Sequence, residues 1–138
     1  MAADRRNLRF FCDESALGLG KALAAARRDV IHPGHGLIPD VPTGTLDPIW
    51  MPIIAKRGLI VIARDKKIRT KPAELAAFRD HGLRAFWIAG KRDLSNWQAL
   101  VRVVERWNDI EQIIATRSNG PWFMAINERA IVEIAFPR

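Results

Sequence analysis

The feature that most constrains the fold is an almost unbroken apolar run from Leu59 to Ala63, which reads Leu-Ile-Val-Ile-Ala. Such a run is typical of a strand in a parallel sheet, because helices cover both faces of that kind of sheet. Leu8 and the segment 10–12, Phe-Phe-Cys, have the size and β preference of a second buried strand. In a chain of 138 residues these strands predict one α/β domain over residues 1–138.

Helix and strand patterns alternate along the rest of the chain. Helices are predicted over 16–28, over 47–57, from Pro72 to a terminating Gly82, and over 94–114 with a bend near Asn108-Asp109. Further strands are predicted over 30–31, 84–89, 122–126 and 130–136. The stretch 32–46 is rich in glycine and proline and is predicted to be a long loop. With right-handed crossovers, this order implies a three-layer α/β fold with a mostly parallel central sheet, a long C-terminal helix and a β-hairpin.

The net charge of +7 indicates an anionic partner, and nucleic acid is the commonest polyanion in the cytoplasm. A basic surface also favours solubility, so the charge alone leaves both interpretations open. No stretch has the length of a membrane span, and residues 1–15 lack the apolar region of a signal peptide. We therefore expect a cytoplasmic protein without a membrane partner. Cys12 is the only cysteine and is expected to be a small buried hydrophobe.

Carboxylates follow two of the predicted strands at the point where each strand ends. Asp13 and Glu14 come after the first strand, and Asp65 comes shortly after the run 59–63. The carboxyl ends of parallel strands meet at one edge of a sheet, which is where ligands bind in open α/β sheets. If the two strands are neighbours, these acids converge, and Asp47 reaches them from a helix start at which it is expected to be the N-cap.

Three or four carboxylates in one crevice repel each other and need a counter-charge. Mg²⁺ or Mn²⁺ supplies that charge and prefers oxygen ligands. Such a site activates water and offsets the charge that builds on a phosphate during in-line displacement. Basic residues beside Asp65 would hold a phosphate backbone, and they are Arg64, Lys66, Lys67 and Arg69. The pattern therefore predicts a metal-dependent nuclease.

Each of these residues also has a purely structural interpretation. Asp13 and Asp65 can simply mark the ends of strands, and Asp47 can be a helix cap and nothing more. Glu14 can be a solvated charge at a helix start, and the basic run after residue 63 can be a solvated loop. Glu74 is either a more distant metal ligand or a charge that complements the dipole of its own helix.

Two pairs of ring-bearing residues are expected to be structural. Trp97 and Trp107 fit core packing on their predicted helix better than they fit stacking on nucleic acid bases. His32 and His35 have a spacing that is compatible with a metal site, but no further ligand lies near them in the sequence. Zinc binding is therefore disfavoured at this pair.

Taken together, the motifs resemble those of PIN-like nucleases, and within that group the VapC-like toxins of toxin–antitoxin modules. The resemblance rests on residues 10–14, on residues 44–47 with Trp50, and on residues 59–69. It implies a PIN-like fold in which Asp13, Asp47 and Asp65 bind Mg²⁺ or Mn²⁺. It also implies endoribonuclease activity and a cognate antitoxin protein that blocks the site. RNA and the antitoxin are the expected partners, and whether the chain forms a homodimer is left open.

The chain departs from the PIN-like pattern at two places. Related nucleases have a fourth acid shortly after the position of Asp65, where this chain has two lysines and offers only the more distant Glu74. Residues 48–49, Pro-Ile, stand where related chains tend to have acids. The alternative is a catalytically inactive PIN-like module that binds RNA or a partner protein. A phosphoacceptor receiver domain is disfavoured because the predicted fourth strand ends at 89–90 without a serine or threonine.

Overall fold

The computed structural model describes residues 7–64, 71–89 and 94–136. Within these ranges one sheet contains strands β1 Phe10–Cys12, β2 Val30–Ile31, β3 Ile60–Ala63, β4 Arg84–Ile88, β5 Trp122–Ile126 and β6 Ile131–Ile134. The strands lie in the order β2-β1-β3-β4-β5-β6. Neighbours are parallel from β2 to β5, and β6 is antiparallel to β5. The predicted mostly parallel sheet and its C-terminal hairpin are therefore confirmed.

Helices cover both faces of this sheet. In the described ranges they are α1 Leu17–Ala26, α2 Asp47–Arg57, α3 Pro72–Asp80, α4 Asn96–Glu105 and α5 Trp107–Thr116, and a 3₁₀ turn, Glu14–Ala16, leads into α1. No helix in these ranges has both the length and the apolar character needed to cross a membrane. The predicted loop 32–46 contains no helix or strand.

Alternate side chains of β1 enter two separate apolar layers, one on each face of the sheet. Phe11 packs under α2 and α3, and its ring centroid lies 5.1 Å from that of Trp50. Phe10 packs under α1, α4 and α5, and its ring centroid lies 5.1 Å from that of Trp107. The result is the expected three-layer α/β architecture, since each face of a parallel sheet must be covered by helices.

The C-terminal helical segment differs from the prediction of one long helix with a bend near Asn108-Asp109. It consists of two helices that are separated at Arg106, whose backbone has φ −97° and ψ 8°. The guanidinium of Arg106 donates to the carbonyl oxygen of Arg129 at 2.9 Å. The break redirects the chain, so that Trp107 packs against the sheet at the start of α5.

Helix α2 connects the long loop to β3. Pro52 lies exposed inside the helix, and the helix continues through it to Arg57. Gly58 ends the helix with φ +67°, a left-handed conformation that glycine adopts without steric cost. The turn at Gly58 leads the chain directly into β3, the neighbour of β1.

Candidate functional site

Asp13 lies where β1 ends, at the edge of the sheet formed by the residues that follow β1, β3 and β4, which we call the carboxyl edge. Asp13 is 2% exposed, and among the residues that the structure describes it is the carboxylate that is buried. Its backbone N–H donates to the carbonyl oxygen of Ile62 at 3.1 Å, and its Oδ1 accepts a hydrogen bond from Ser15 Oγ at 2.5 Å. A buried charge needs such partners, so the strand end holds this carboxylate in a fixed position.

Ser15 also connects the end of β1 to the end of β3. Its Oγ accepts a hydrogen bond from the backbone N–H of Arg64 at 3.0 Å while it donates to Asp13. Asp65, the next residue in the sequence, lies outside the described residues, as do Lys66, Lys67 and Arg69. The structure therefore places Asp13 two hydrogen bonds from the residue that precedes Asp65, and the site roles of the four undescribed residues stay predictions.

Glu14 fastens the long loop to the carboxyl edge. It is exposed, and its Oε1 accepts a hydrogen bond from the backbone N–H of Gly44. Gly44 has φ +85°, a conformation that strongly favours glycine. Asp47 follows three residues later at the start of α2, so this contact brings the first turn of α2 towards the end of β1.

Asp47 is not the N-cap of α2, contrary to the prediction. Leu46 is the N-cap, in an extended conformation with φ −69° and ψ 151°, and Asp47 is the first residue of the helix. Residues three apart on a helix are neighbours, and Asp47 Oδ1 accepts a hydrogen bond from Trp50 Nε1 at 2.8 Å. The carboxylate therefore satisfies the polar atom of a tryptophan that is otherwise 1% exposed in the core.

Glu74 lies in the first turn of α3, and its side chain is 19% exposed. Lys71 Nζ lies 3.7 Å from Glu74 Oε1. A carboxylate in the first turn also interacts favourably with the helix dipole. Its proposed role as a metal ligand stays a prediction.

Arg64, predicted to hold RNA, also links the end of β3 to the beginning of α4. Its guanidinium donates to the carbonyl oxygen of Leu94 and to Asn96 Oδ1, the latter at 3.4 Å. Sequence reasoning did not identify Ser15 or Asn96 as members of this network. The Asp-x-Ser spacing at 13–15 was the available signal, but a serine at that point equally indicates a helix start.

The expectation for Trp107 is confirmed, whereas the expectation for Trp97 is wrong. Trp97 is 71% exposed, while Ala99 and Val103 form the buried stripe of α4. Two residues correspond to roughly 200° around a helix, which puts Trp97 on the side away from Ala99. The sequence pattern overestimated the width of the buried face of this helix.

The ring of His32 lies 5.2 Å from the ring of His35, measured between centroids. His32 Nδ1 lies 2.8 Å from the carbonyl oxygen of Pro33, and His35 Nδ1 accepts a hydrogen bond from the backbone N–H of Leu37 at 3.0 Å. Burial lowers the pKa of His35, and the nearby charge of His32 lowers it further. Both Nδ1 atoms are therefore already engaged within the loop.

Cys12 is fully buried, as expected. Burial raises the pKa of its thiol, and the neighbouring charge of Asp13 raises it further. The thiol therefore stays protonated, and it lacks the thiolate character that a nucleophile needs.

The oxygen donors at the carboxyl edge suit a hard divalent cation, because Asp13 and Glu14 are both carboxylates. No group of three or more metal-capable side chains forms within residues 7–64, 71–89 and 94–136. The described residues alone do not assemble the predicted ligand set, which stays a prediction. Asp65, which follows Arg64 in the sequence, is the candidate to complete it.

A family model described as a PIN like domain matches residues 8–90 of the chain. The matched range runs from β1 through β4 and includes the three predicted aspartates. PIN-like domains are commonly nucleases, and they typically use divalent metal ions. Comparisons with curated proteins and with solved structures give no match.

Proposed function

The chain belongs to the PIN-like domain family, and we propose that it is a cytoplasmic, Mg²⁺- or Mn²⁺-dependent endoribonuclease that acts as the toxin of a type II toxin–antitoxin system. The observation that carries the proposal is the Ser15 bridge, in which Oγ contacts Asp13 Oδ1 at 2.5 Å and the backbone nitrogen of Arg64 at 3.0 Å. The bridge joins the ends of two neighbouring parallel strands, β1 and β3, each of which is followed by an acid.

Asp13, Asp47 and Asp65 are the proposed metal ligands, with Glu14 and Glu74 as additional candidates. A bound divalent cation would lower the pKa of a water molecule and offset charge on the reacting phosphate. The contribution of Asp13 is a carboxylate already fixed by burial and by the hydrogen bond from Ser15. A fixed charge needs little reorganisation during the reaction, which is the basis of electrostatic preorganisation.

The proposed RNA-binding residues are Arg64, Lys66, Lys67 and Arg69. Arg64 is anchored to the beginning of α4, at the same edge as Asp13. Its positive charge, together with the net charge of +7, favours the approach of a polyanion. We further propose that a cognate antitoxin protein blocks this edge, and that a second copy of the chain is a candidate partner.

The proposal is tested with Asp13→Asn and Asp65→Asn, and with Asp80→Asn as a matched control. Asp80 is an exposed acid in the last turn of α3, paired with Arg79, and it precedes β4, so it lies at the opposite end of the strands from the carboxyl edge. Cleavage of end-labelled RNA is expected to require Mg²⁺ or Mn²⁺. Each site variant is expected to lose roughly a hundredfold or more in rate, since even outer-shell changes at metal sites cost about 10–100-fold. The control variant is expected to retain the wild-type rate.

Circular dichroism spectra of all three variants verify that they are folded. Cleavage that survives in both site variants would rule out the proposed mechanism. As a second readout, expression of the wild-type chain is expected to arrest cell growth, and expression of the Asp13→Asn variant is not. Growth that is unaffected by an RNA-cleaving wild-type chain would contradict the toxin role alone.

The alternative is a PIN-like module that binds RNA without cutting it. Lys66 and Lys67 favour this alternative, because related nucleases have an acid shortly after the position of Asp65. Calorimetric titration with Mn²⁺ separates the two functions: the nuclease is expected to bind the cation with a heat signal that Asp13→Asn removes. RNA that is bound but not cut, together with the absence of such a signal, would establish the non-catalytic alternative.

A further inference from the structure

Trp97 is the most exposed large apolar side chain in the described part of the chain, at 71%. The other four tryptophans differ from it: Trp50, Trp87 and Trp122 are at most 4% exposed, and Trp107 packs against the core. Single exposed apolar residues are common on protein surfaces, so exposure by itself carries no function. The location of Trp97 is what distinguishes it.

A continuous series of contacts connects Trp97 to the candidate cleavage site. Ser15 bonds both Asp13 and the backbone of Arg64, and the guanidinium of Arg64 donates to Asn96 Oδ1 at 3.4 Å. Asn96 is the first residue of α4, and Trp97 is the second. The helical turn that carries Trp97 therefore lies at the same end of the fold as the buried carboxylate.

Two further contacts fix the first turn of α4 in place. Ser95 and Gln98 form a capping box, with hydrogen bonds of 2.9 Å and 3.1 Å between the side chain of each and the backbone of the other. Helix α1 approaches so closely that a Cβ atom at Gly18 would lie 2.2 Å from Asn96 Nδ2. Trp97 therefore lies on a helical turn that is already ordered. Binding of a ligand to its ring would cost little free energy for ordering the backbone.

We propose that Trp97 is a stacking platform for an unpaired base of single-stranded RNA whose phosphate lies at the carboxyl edge. This inference rests on the proposed nuclease function and adds to it a residue outside the acid cluster that contacts a base of the substrate. Bases of single strands stack on exposed aromatic rings, whereas a duplex keeps the faces of its bases inside. Arg64, held next to the helix turn that carries Trp97, contributes the positive charge that such a strand requires.

The test measures RNA affinity in the Asp13→Asn background, in which RNA is bound without cleavage. Trp97→Phe keeps a flat aromatic face, Trp97→Leu keeps apolar bulk without that face, and Val104→Ala is the matched control. Val104 is 57% exposed on the same helix, two turns beyond Trp97. Fluorescence anisotropy with a labelled single-stranded oligoribonucleotide gives the dissociation constants.

The Phe variant is expected to bind nearly as tightly as the parent, and the Leu variant about tenfold more weakly, because a base loses its stacking partner. The Val104→Ala variant is expected to bind like the parent. A duplex of the same sequence is expected to show no difference between Trp and Leu at this position. Single-stranded RNA is also expected to quench tryptophan emission in the parent, and most of this quenching should disappear in Trp97→Phe.

The outcomes separate the platform from the nuclease. If the parent and the Trp97→Leu variant bind single-stranded RNA equally tightly, and the wild-type chain still shows metal-dependent cleavage, only the proposed role of Trp97 is overturned. Equal losses for Trp97→Leu and Val104→Ala also overturn it, since they indicate an apolar docking surface for a protein. A wild-type chain that neither binds nor cleaves RNA overturns the proposed function, and the platform with it.

Discussion

Asp29 is a partly buried carboxylate whose ion pairs contribute to the stability of the fold. Burial raises the pKa of Asp29, but the hydrogen bonds and charge of Arg27, with the charge of Arg9, lower it more, so that the net pKa lies below its ordinary value. Arg27 donates to it at 2.8 Å and 2.9 Å, and Arg9 at 3.4 Å. The folded chain therefore binds a proton at Asp29 more weakly than the unfolded chain does.

The stabilisation from Asp29 is fully present above the unfolded pKa of about 3.9, and it is lost as the pH falls through the lower pKa of the folded state. Asp29→Asn is expected to lower the free energy of unfolding by about 1–2 kcal/mol at neutral pH. Below about pH 4, the free energy of unfolding of the variant is expected to fall less steeply with decreasing pH than that of the wild type. Urea denaturation across this pH range measures both effects. Asp40→Asn, which removes an exposed ion pair with Arg57, is the control and is expected to change little. An equal effect of the two substitutions would contradict this assignment.

The position of Asp13 at the end of a strand could be predicted from the sequence, whereas the network that holds it could not. The apolar pattern ends abruptly before Asp13, and that ending correctly placed a carboxylate at the end of a parallel strand. The bridge through Ser15 depends on the distance between β1 and β3, which no local pattern contains. Asp47 shows the same limit, because its contact with Trp50 depends on where the helix begins.

At the scale of an element, the packing of α1 on β1 depends on one glycine. A Cβ atom at Gly20 would lie 2.7 Å from the Cβ of Cys12 and 3.2 Å from the Cβ of His32. Both neighbours are Cβ atoms, which are bonded directly to the backbone of buried or half-buried residues and cannot rotate away. The helix would therefore have to move away from the sheet. The close approach of α1 to the sheet therefore requires a residue without a side chain.

Gly20→Ala is expected to lower the free energy of unfolding by about 1–3 kcal/mol through overpacking, in spite of a gain of about 1 kcal/mol in helix propensity. Gly18→Ala, in the same helix, is the control. Its new Cβ meets the amide at the end of the Asn96 side chain, which can rotate away at the cost of its 3.4 Å contact with Arg64, so a smaller loss is expected. Urea denaturation compares the two variants. A Gly20→Ala protein as stable as the Gly18→Ala protein would show that α1 has room to shift.

Element types were easier to predict than element boundaries in the C-terminal part. The strands could be predicted because they are continuous apolar runs. Such a run identifies a strand even when the predicted ends of the strand are slightly misplaced. The break at Arg106 was not predictable, because apolar residues keep a helical spacing from Leu100 through Trp107 and beyond. Trp97 belongs to the same pattern, and the pattern does not reveal that the buried stripe of α4 is narrow.

At the scale of the whole molecule, the net charge of +7 predicts salt-dependent RNA binding. Each phosphate contact to a single strand contributes about 0.7 to the slope of log affinity against log salt concentration. If Lys66, Lys67 and Arg69 each contact a phosphate, reversing all three charges is expected to weaken binding and to reduce the slope by about 2. Anisotropy titrations at several salt concentrations, in the Asp13→Asn background, measure the slope.

A matched triple reversal controls for net charge alone. Three exposed basic residues lie at the far end of α1, α2 and α3 from the carboxyl edge: Arg28, which follows α1, and Lys56 and Arg79, in the last turns of α2 and α3. Replacing these three with glutamate changes the net charge by the same amount, but the slope is expected to change much less. Equal slopes for the two triple variants would mean that the overall charge, and not the segment after Asp65, holds RNA.

The pairing of β4 with β5 limits how this chain can be dissected. The family match ends at residue 90, yet β4 is an interior strand whose residues Arg84 to Ile88 pair one for one with Trp122 to Ile126. A fragment cut at residue 90 would expose that five-residue ladder, and it would also lack α4 and α5 over one face of the sheet. Unpaired interior edges of this kind promote aggregation. Experiments on the region that carries the candidate site therefore need the C-terminal hairpin, although the hairpin holds none of the predicted acids.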